Sequence, residues 1–251
     1  MAGLTFEERM RELEYFHGLR LLPNTWCVIR VDGRGFSKFT EEHYEKPFDE
    51  KLHQHMKETT RILFEELQAD YGYTESDEIS LLFRPQWALF SRSLEKIVSV
   101  SAGLASSAFT KVSGLMGHFD SRVWLSAKEE SVIDYFRWRQ SDGARCCLNQ
   151  WCYWTLRKEG LNATEATAEL EGQGEDFKNE LLFSRQINFN EVPLWQRRGT
   201  GFYWEEYEKE GHNPLTNETV LVKRRRIKEN SLLPMKDEYS EFLQELVATF
   251  P

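Results

Sequence analysis

The sequence contains no uninterrupted apolar run of the roughly 18 residues that a membrane-crossing helix requires, so no membrane association is expected. Basic residues are also short. There are 32 Lys and Arg against 41 Asp and Glu, a net charge of −9, so global positive charge cannot hold nucleic acid and any such surface must be a local patch. The four cysteines (27, 146, 147 and 152) form no Cys-x-x-Cys pair, and the six histidines show no ligand spacing. A zinc site and a disulfide scaffold are therefore not expected. The chain also lacks the Gly-x-Ser-x-Gly elbow, the phosphate-loop lysine motif and a complete dinucleotide fingerprint, and Cys146-Cys147 has no evident His partner, so hydrolysis through a nucleophilic side chain finds no support. The first residues, MAGLTFEERMRELEYF, lack the basic start, apolar core and cleavage site of a signal peptide. Reduced, buried thiols in a cytoplasmic protein are the expectation.

What is present suits a globular chain of 251 residues, 40% hydrophobic and 14% aromatic, with 8 Trp, 9 Tyr and 17 Phe. Thr5 and Glu8 have capping-box spacing before a helix carrying Phe6, Met10 and Leu13. A strand over 26–31 runs into Asp32-Gly33-Arg34-Gly35. Its alternation puts Arg30 and Asp32 on one face, with Cys27, Ile29 and Val31 on the other. Pro47 suits the start of a helix marked by Leu52, Met56, Leu63 and Leu67. Further on, the pattern predicts a strand over 78–83, a small-residue helix over 91–112, a strand over 119–125 and a mainly helical stretch over 129–158. Polar helix follows over 163–183, then two short extended runs, 201–207 and 219–227, and a last helix bearing Tyr239, Phe242, Leu243, Leu246 and Val247. Strands alternating with helices imply an α+β or α/β core whose sheet is covered on one face. The expected organisation is a catalytic core over 1–140 with a helical and short β extension over 141–251, packed as one unit.

The sharpest chemical constellation is a pair of carboxylates at strand ends, Asp32 before Gly33 and Asp77 between Ser76 and Glu78. Mg²⁺ takes oxygen ligands, often one or two carboxylates plus substrate phosphates. Two such ions, about 4 Å apart, clamp the attacking and leaving oxygens of a phosphoryl displacement. Asp32, Asp77 and the Gly33 carbonyl would suit them; equally, Asp32-Gly33 reads as a turn and 76–78 as a polar hairpin. The Gly-x-Gly of 33–35 is a partial phosphate-loop signal. Arg30, Lys46, Arg92, Lys96 and Arg122 are candidate triphosphate contacts or, apart from Arg30 in its strand, solvated surface bases. Lys223-Arg224-Arg225-Arg226 is the one dense basic run. It suits contact with a phosphate backbone, extended by Arg197-Arg198, or equally the protection of an edge strand.

Together these residues resemble the tRNA-His guanylyltransferase family, in particular its guanylyltransferase-like 3′–5′ RNA polymerases. The matching stretches are 29–36 (IRVDGRGF), 46–49 (KPFD), 75–80 (ESDEIS), 118–122 (HFDSR), 135–140 (YFRWRQ) and 178–183 (KNELLF), in family order across roughly residues 6 to 205. The resemblance implies an α+β fold with a palm like that of polymerases and nucleotide cyclases. It implies catalysis by two Mg²⁺ ions on Asp32, Gly33 and Asp77, with Ser76 beside the nucleotide. Arg30, Arg34, Gly35, Phe36, Lys46, Arg92, Lys96 and Arg122 become nucleotide contacts, and Lys178 and Asn188 a second nucleotide- or RNA-contacting region. ATP, GTP and other nucleoside triphosphates, tRNA and a homotetramer are the implied partners. The family activates an RNA 5′ end, with ATP where it is a monophosphate, and the 3′-hydroxyl of an incoming nucleotide attacks that end.

Members devoted to adding G to tRNA-His carry His-Ile-Asn-Asn-Leu-Tyr-Asn after the Arg-Gln block, where this chain has Ala144-Arg-Cys-Cys-Leu-Asn-Gln150. The departure points to the bacterial and archaeal type of branch, which resembles a template-dependent repairer of tRNA 5′ ends. Dedicated guanylylation of tRNA-His, and a nucleotide cyclase or signalling-nucleotide synthase on the same palm, are the alternatives. Phe48, where many relatives have Asn, reads as a packing change.

Overall fold

The computed structural model describes residues 4–212 and 219–250. Its centre is a six-stranded, wholly antiparallel sheet built from β1 (Trp26–Gly33), β2 (Tyr71–Glu75), β3 (Glu78–Phe83), β4 (Phe119–Ser126), β5 (Thr200–His212) and β6 (Thr219–Asn230). The strand order is β4-β1-β3-β2-β5-β6. Helices α2 (Phe36–His43) and α3 (Glu50–Glu66) connect β1 to β2, and α4 (Leu94–Ser113) connects β3 to β4. The first four strands therefore form a βαββαβ unit with β1 and β3 at its middle.

The alternation along β1 holds. Cys27, Ile29 and Val31 are fully buried against Met56, Leu63 and Phe64 of α3 and Ile97, Ala105 and Phe109 of α4. Ser101 and Ala105 face the sheet from α4, and their small volume lets that helix lie close to it. The other face is not left open. Val28, Tyr71, Tyr73 and Leu82 pack there against α5 (Glu129–Lys158) and α9 (Lys236–Ala248), so helices cover both faces instead of the single face expected. On β1 that face is apolar at Val28 and becomes polar at Arg30 and Asp32, so the alternation read as a polar face covers only its last turn of pleat.

Other elements shift for identifiable reasons. Asp49, not Pro47, caps α3 by accepting from the Lys51 and Leu52 amides. Phe90, Ser91 and Arg92 all have positive φ, which holds off the start of α4 until Leu94. The polar helical stretch divides at Gly172 into α6 (Ala163–Leu170) and α7 (Glu175–Phe183). The two extended runs are 13 and 12 residues long and belong to the main sheet, with β5 pairing β2. Beyond Trp204 both of their faces carry charge, which hides the period-two signal. Residues 140 and 141 lie inside α5. Its first half packs on the sheet through Val132 and Phe136, and its second half carries α6 and α7 through Leu148, Cys152 and Leu156. Phe48 meets Trp195 of α8 (Leu194–Arg198) edge-on at 6.1 Å, the packing expected of it.

Trp195 also stacks on His53 of α3, centroids 4.1 Å apart and planes 14° from parallel. Burial, helped by Lys57, pushes the His53 imidazole down from 6.5 to about 4. The folded state keeps the ring neutral where the unfolded chain would protonate it. Its contribution is therefore complete above pH 6.5 and is lost as pH falls toward 4. Urea unfolding should show wild type losing about 2 kcal/mol relative to His53→Gln between pH 7.5 and pH 5. A constant gap would mean the ring is solvated.

Candidate active site

Two tight connections meet at one end of the sheet. The β2–β3 hairpin closes with Glu75 opposite Glu78, leaving Ser76 (φ 53°) and Asp77 as its turn. The Gly33 amide at the end of β1 donates to the Asp77 carbonyl at 3.2 Å, fastening that turn to the strand carrying Asp32. Asp32 and Gly33 are the last residues of β1 and not a turn, whereas 76–77 is the turn of a polar hairpin that brings Asp77 to the end of β1. The fit is close. A Cβ on Gly33 would lie 2.5 Å from the Phe36 ring and 2.7 Å from Asp77 Oδ2.

Burial, and then the neighbouring Asp32 carboxylate, push Asp77 up from 3.8 to about 6. Two carboxyl groups held this way repel each other unless a cation lies between them. With the oxygen-only chemistry of Asp32, Asp77 and a main-chain carbonyl, that repulsion fits a hard divalent ion. Among the described residues no group of three His, Cys, Asp or Glu side chains converges as a self-sufficient metal cage, so such an ion would complete its shell with substrate oxygens or water.

Several candidate bases are gathered here. Arg122 lies opposite Arg30 in the β1–β4 register; its guanidinium sits 2.9 Å from Asp120 and 3.8 Å from Asp32. Arg30 is mostly buried, 3.8 Å from Glu78, with its Nε unbonded. Lys46 bonds Thr40 Oγ1 and stands over the Trp154 ring at 5.6 Å. Burial lowers its ammonium, and Glu41 and Asp77 work against that. Arg34 is exposed, its amide tied to the His118 carbonyl. Gly35 takes the left-handed φ of 71° that turns the chain into α2, and no side chain caps that helix. The first amides of α2 are left for an anion.

Other candidates are elsewhere. Phe36 is a core residue, 3% exposed among Phe39, Phe109 and Phe119, and offers only its amide. Arg92 is at the opposite end of β1, where it donates to the Leu22, Thr25 and Trp87 carbonyls. Seven residue steps of extended chain separate Thr25 from Asp32, about 23 Å. Lys96, on the first turn of α4, lies at that same far end. Lys178 and Asn188 belong to the segment packed on the second half of α5. The Asn188 side chain caps a short turn at Asn190, and neither bonds a residue of the Asp32–Asp77 pair among the described residues. Arg197 and Arg198 hold carbonyls of Val192, Asn190 and Leu233. The basic run lies on the edge strand β6, where Arg226 and Lys228 both close on Glu205 at 2.7 Å, so part of it is neutralised.

The structure gives places to residues that the matching stretches 75–80 and 135–140 contain but that are not among the site candidates. Arg139 of α5 donates to both carboxylate oxygens of Glu78, at 2.7 and 2.6 Å. Burial, then Glu78 and Asp77, push the Glu75 carboxyl up to about 8. Gly143 lets α5 approach it, since a Cβ there would lie 2.7 Å from Glu75 Oε2. Two acids that close a hairpin at its paired positions were the available signal.

Residues 7–127 match the family model for tRNAHis guanylyltransferase, and residues 130–241 match that for the Thg1 C terminal domain. A probable tRNA(His) guanylyltransferase of Dictyostelium discoideum is 35% identical over 219 residues, 82% of this chain and 84% of that one. Among solved structures, a bacterial tRNA(His) guanylyltransferase (Thg1)-like protein in complex with ATP superimposes with a TM-score of 0.73 at 26% identity, covering 97% of this chain and 99% of its own. Its complex with GTP gives 0.72 at 27%. The tRNA(His) guanylyltransferase of Saccharomyces cerevisiae gives 0.67 at 27%, with 73% of this chain covered.

Proposed function

The chain belongs to the tRNAHis guanylyltransferase family, and we propose that this nucleotidyltransferase restores missing nucleotides at the 5′ end of tRNA under the direction of the opposite strand. One observation carries the choice of repair over dedicated G addition. The stretch 144–150, which departs from the His-Ile-Asn-Asn pattern, begins directly after Gly143, where α5 touches the Glu75–Asp77 hairpin. A change of side chains there would begin next to the hairpin that carries Asp77, where the proposed chemistry takes place. The near-complete coverage of the bacterial Thg1-like protein supports the same branch. The names of the curated relatives favour the second reading, addition of a single G to tRNA-His.

Asp32, Asp77 and the Gly33 carbonyl would hold two Mg²⁺ ions. When bound, those ions would supply Lewis-acid stabilisation of the charge that develops on attacking and leaving oxygens. Arg30, Arg122 and Lys46 would neutralise triphosphate oxygens, with the α2 amides completing the cradle and Ser76 beside it. ATP first gives its adenylyl group to the RNA 5′-monophosphate and releases pyrophosphate. The 3′-hydroxyl of the incoming nucleotide then attacks that 5′ phosphorus and AMP leaves. The exposed Phe6, Leu13, Tyr15 and Phe16 favour self-association, and a homotetramer in the cytoplasm is part of the proposal; light scattering checks its mass.

The decisive test is 5′ extension of a tRNA lacking its first nucleotide, with ATP, Mg²⁺ and each labelled nucleotide in turn. Addition of only the pairing nucleotide is the expected result. Addition of G regardless of pairing would move the chain to the second reading, and a cyclic or linear nucleotide product without RNA extension would make it a signalling synthase. Replacing Lys223–Arg226 by Ala should weaken tRNA binding and flatten its salt dependence by about 0.7 for each single-strand phosphate that the protein no longer neutralises. An unchanged slope would remove the basic run from RNA binding.

A further inference from the structure

The opposite end of the sheet contains a built cavity. Asp70 and Arg84 stand at the far ends of β2 and β3, and six residues of strand, about 20 Å, separate Asp70 from the turn residue Ser76. Between the end of α3, the β3–α4 connection and the β5–β6 pair lies a cavity of about 660 Å³, within the range of small-molecule sites. Its wall includes Trp87, Trp204 and Arg225. Trp204 is fixed from behind, its Nε1 donating to the Ala69 carbonyl at 3.1 Å and its ring packed on Phe64. The Arg225 guanidinium lies over that ring, 4.3 Å from its centre.

Arg225 has acids near it but no close ion pair: its charge helps to hold the Asp70 carboxyl down, and Glu206 lies opposite it in the β5–β6 register. Asp70 is held by Arg84 at 2.9 Å, and Glu65 by Arg61 at 3.1 Å. On the same strand Arg226 and Lys228 share Glu205. Among the described residues no carboxylate comes within ion-pair distance of Arg225. A guanidinium backed by an indole presents a planar surface on which a nucleobase stacks, and a fork of donors suited to phosphate. Gln68 and Gln86 also line the cavity. Together they offer donors and acceptors for a base edge.

We propose that this cavity binds one nucleotide, its base stacked on the Arg225–Trp204 pair and its phosphate on the Arg225 fork, remote from the catalytic carboxylates. The nucleotide comes either from solution or from the RNA strand that the adjoining basic run of β6 would follow. The inference rests on the reading of the chain as an RNA enzyme for its choice of probes, and its test is independent of turnover. With ring-¹⁵N-labelled Trp, the Trp204 indole signal is assigned through Trp204→Phe and followed during titration with AMP and with a short single-stranded oligoadenylate. The signal should shift and saturate in wild type and in Asp77→Asn. Arg225→Glu should weaken that response roughly tenfold or more, the scale of one base stack removed. A response to AMP assigns the site to free nucleotides, and a response to the oligoadenylate alone assigns it to the strand. A silent Trp204 with both probes, or an undiminished response in Arg225→Glu, overturns the proposal. Tested in parallel, 5′ extension with a silent Trp204 removes the cavity alone; a Trp204 response without extension removes the catalytic reading alone.

Discussion

Asp77→Asn should lower 5′ nucleotide addition by roughly three orders of magnitude or more, since the carboxylate, as the proposed metal ligand, would supply several kcal/mol of transition-state stabilisation. The same substitution should stabilise the metal-free protein. Folding raises this carboxyl from 3.8 to about 6, because burial and the Asp32 charge disfavour its ionised form. The unfolded chain therefore releases the proton first as pH rises. Wild type loses stability between about pH 4 and pH 6, and the cost is complete above that range. Asn carries no such cost, so the variant should gain about 2–3 kcal/mol over wild type at pH 7.5 and almost nothing at pH 3.5. Mg²⁺ should reverse the order by binding folded wild type alone. Thermal unfolding at the two pH values, with and without Mg²⁺, checks this. Equal stability of the two proteins throughout would mean that Asp77 is solvated and the carboxylate pair is no cation site.

The carboxylates were legible because each breaks a strong local pattern. Asp32 and Asp77 stand where apolar strands end in turns, and such sites assemble at strand ends whatever the surroundings. Arg30 was legible for the same reason, as a charge inside a buried strand. Arg92 was not. It follows Asp77 by only 15 residues, but β3 runs away from the site between them, and sequence proximity cannot say at which end of a strand a base emerges. That Arg197 and Arg198 hold loop carbonyls was not legible, because a guanidinium satisfying carbonyls and one awaiting phosphate have the same sequence signature. The length of β5 and β6 was hidden by charge on both faces, and the pairing of β5 with β2 joins residues more than 120 apart, beyond any periodicity argument. Helix cover on both faces of the sheet follows from Val28 and Leu82, single residues in otherwise ambiguous apolar runs.

Gly33→Ala is the sharper probe of how the two strand ends are joined, because it alters no charge and removes no ligand. The added methyl would meet the Phe36 ring at 2.5 Å and Asp77 Oδ2 at 2.7 Å. Phe36 cannot yield easily. It is wedged between Phe39 and Phe119, each 4.9 Å away, and Phe109 at 5.4 Å. Overpacking of this kind costs roughly 1–3 kcal/mol, a fall in Tm of a few degrees for a chain of this size. The Asp77 side chain and its turn are the more mobile neighbours, so most of the displacement should appear there. A shift of about 1 Å in a catalytic group costs on the order of a hundredfold in rate. The expected outcome is therefore a kcat for 5′ addition lowered about a hundredfold, with tRNA affinity and its salt slope unchanged, since β6 is untouched. A fall in Tm in proportion to the fall in rate would instead show general unfolding, and an unaltered rate would show that the Asp77 turn is not held by its contact with Gly33.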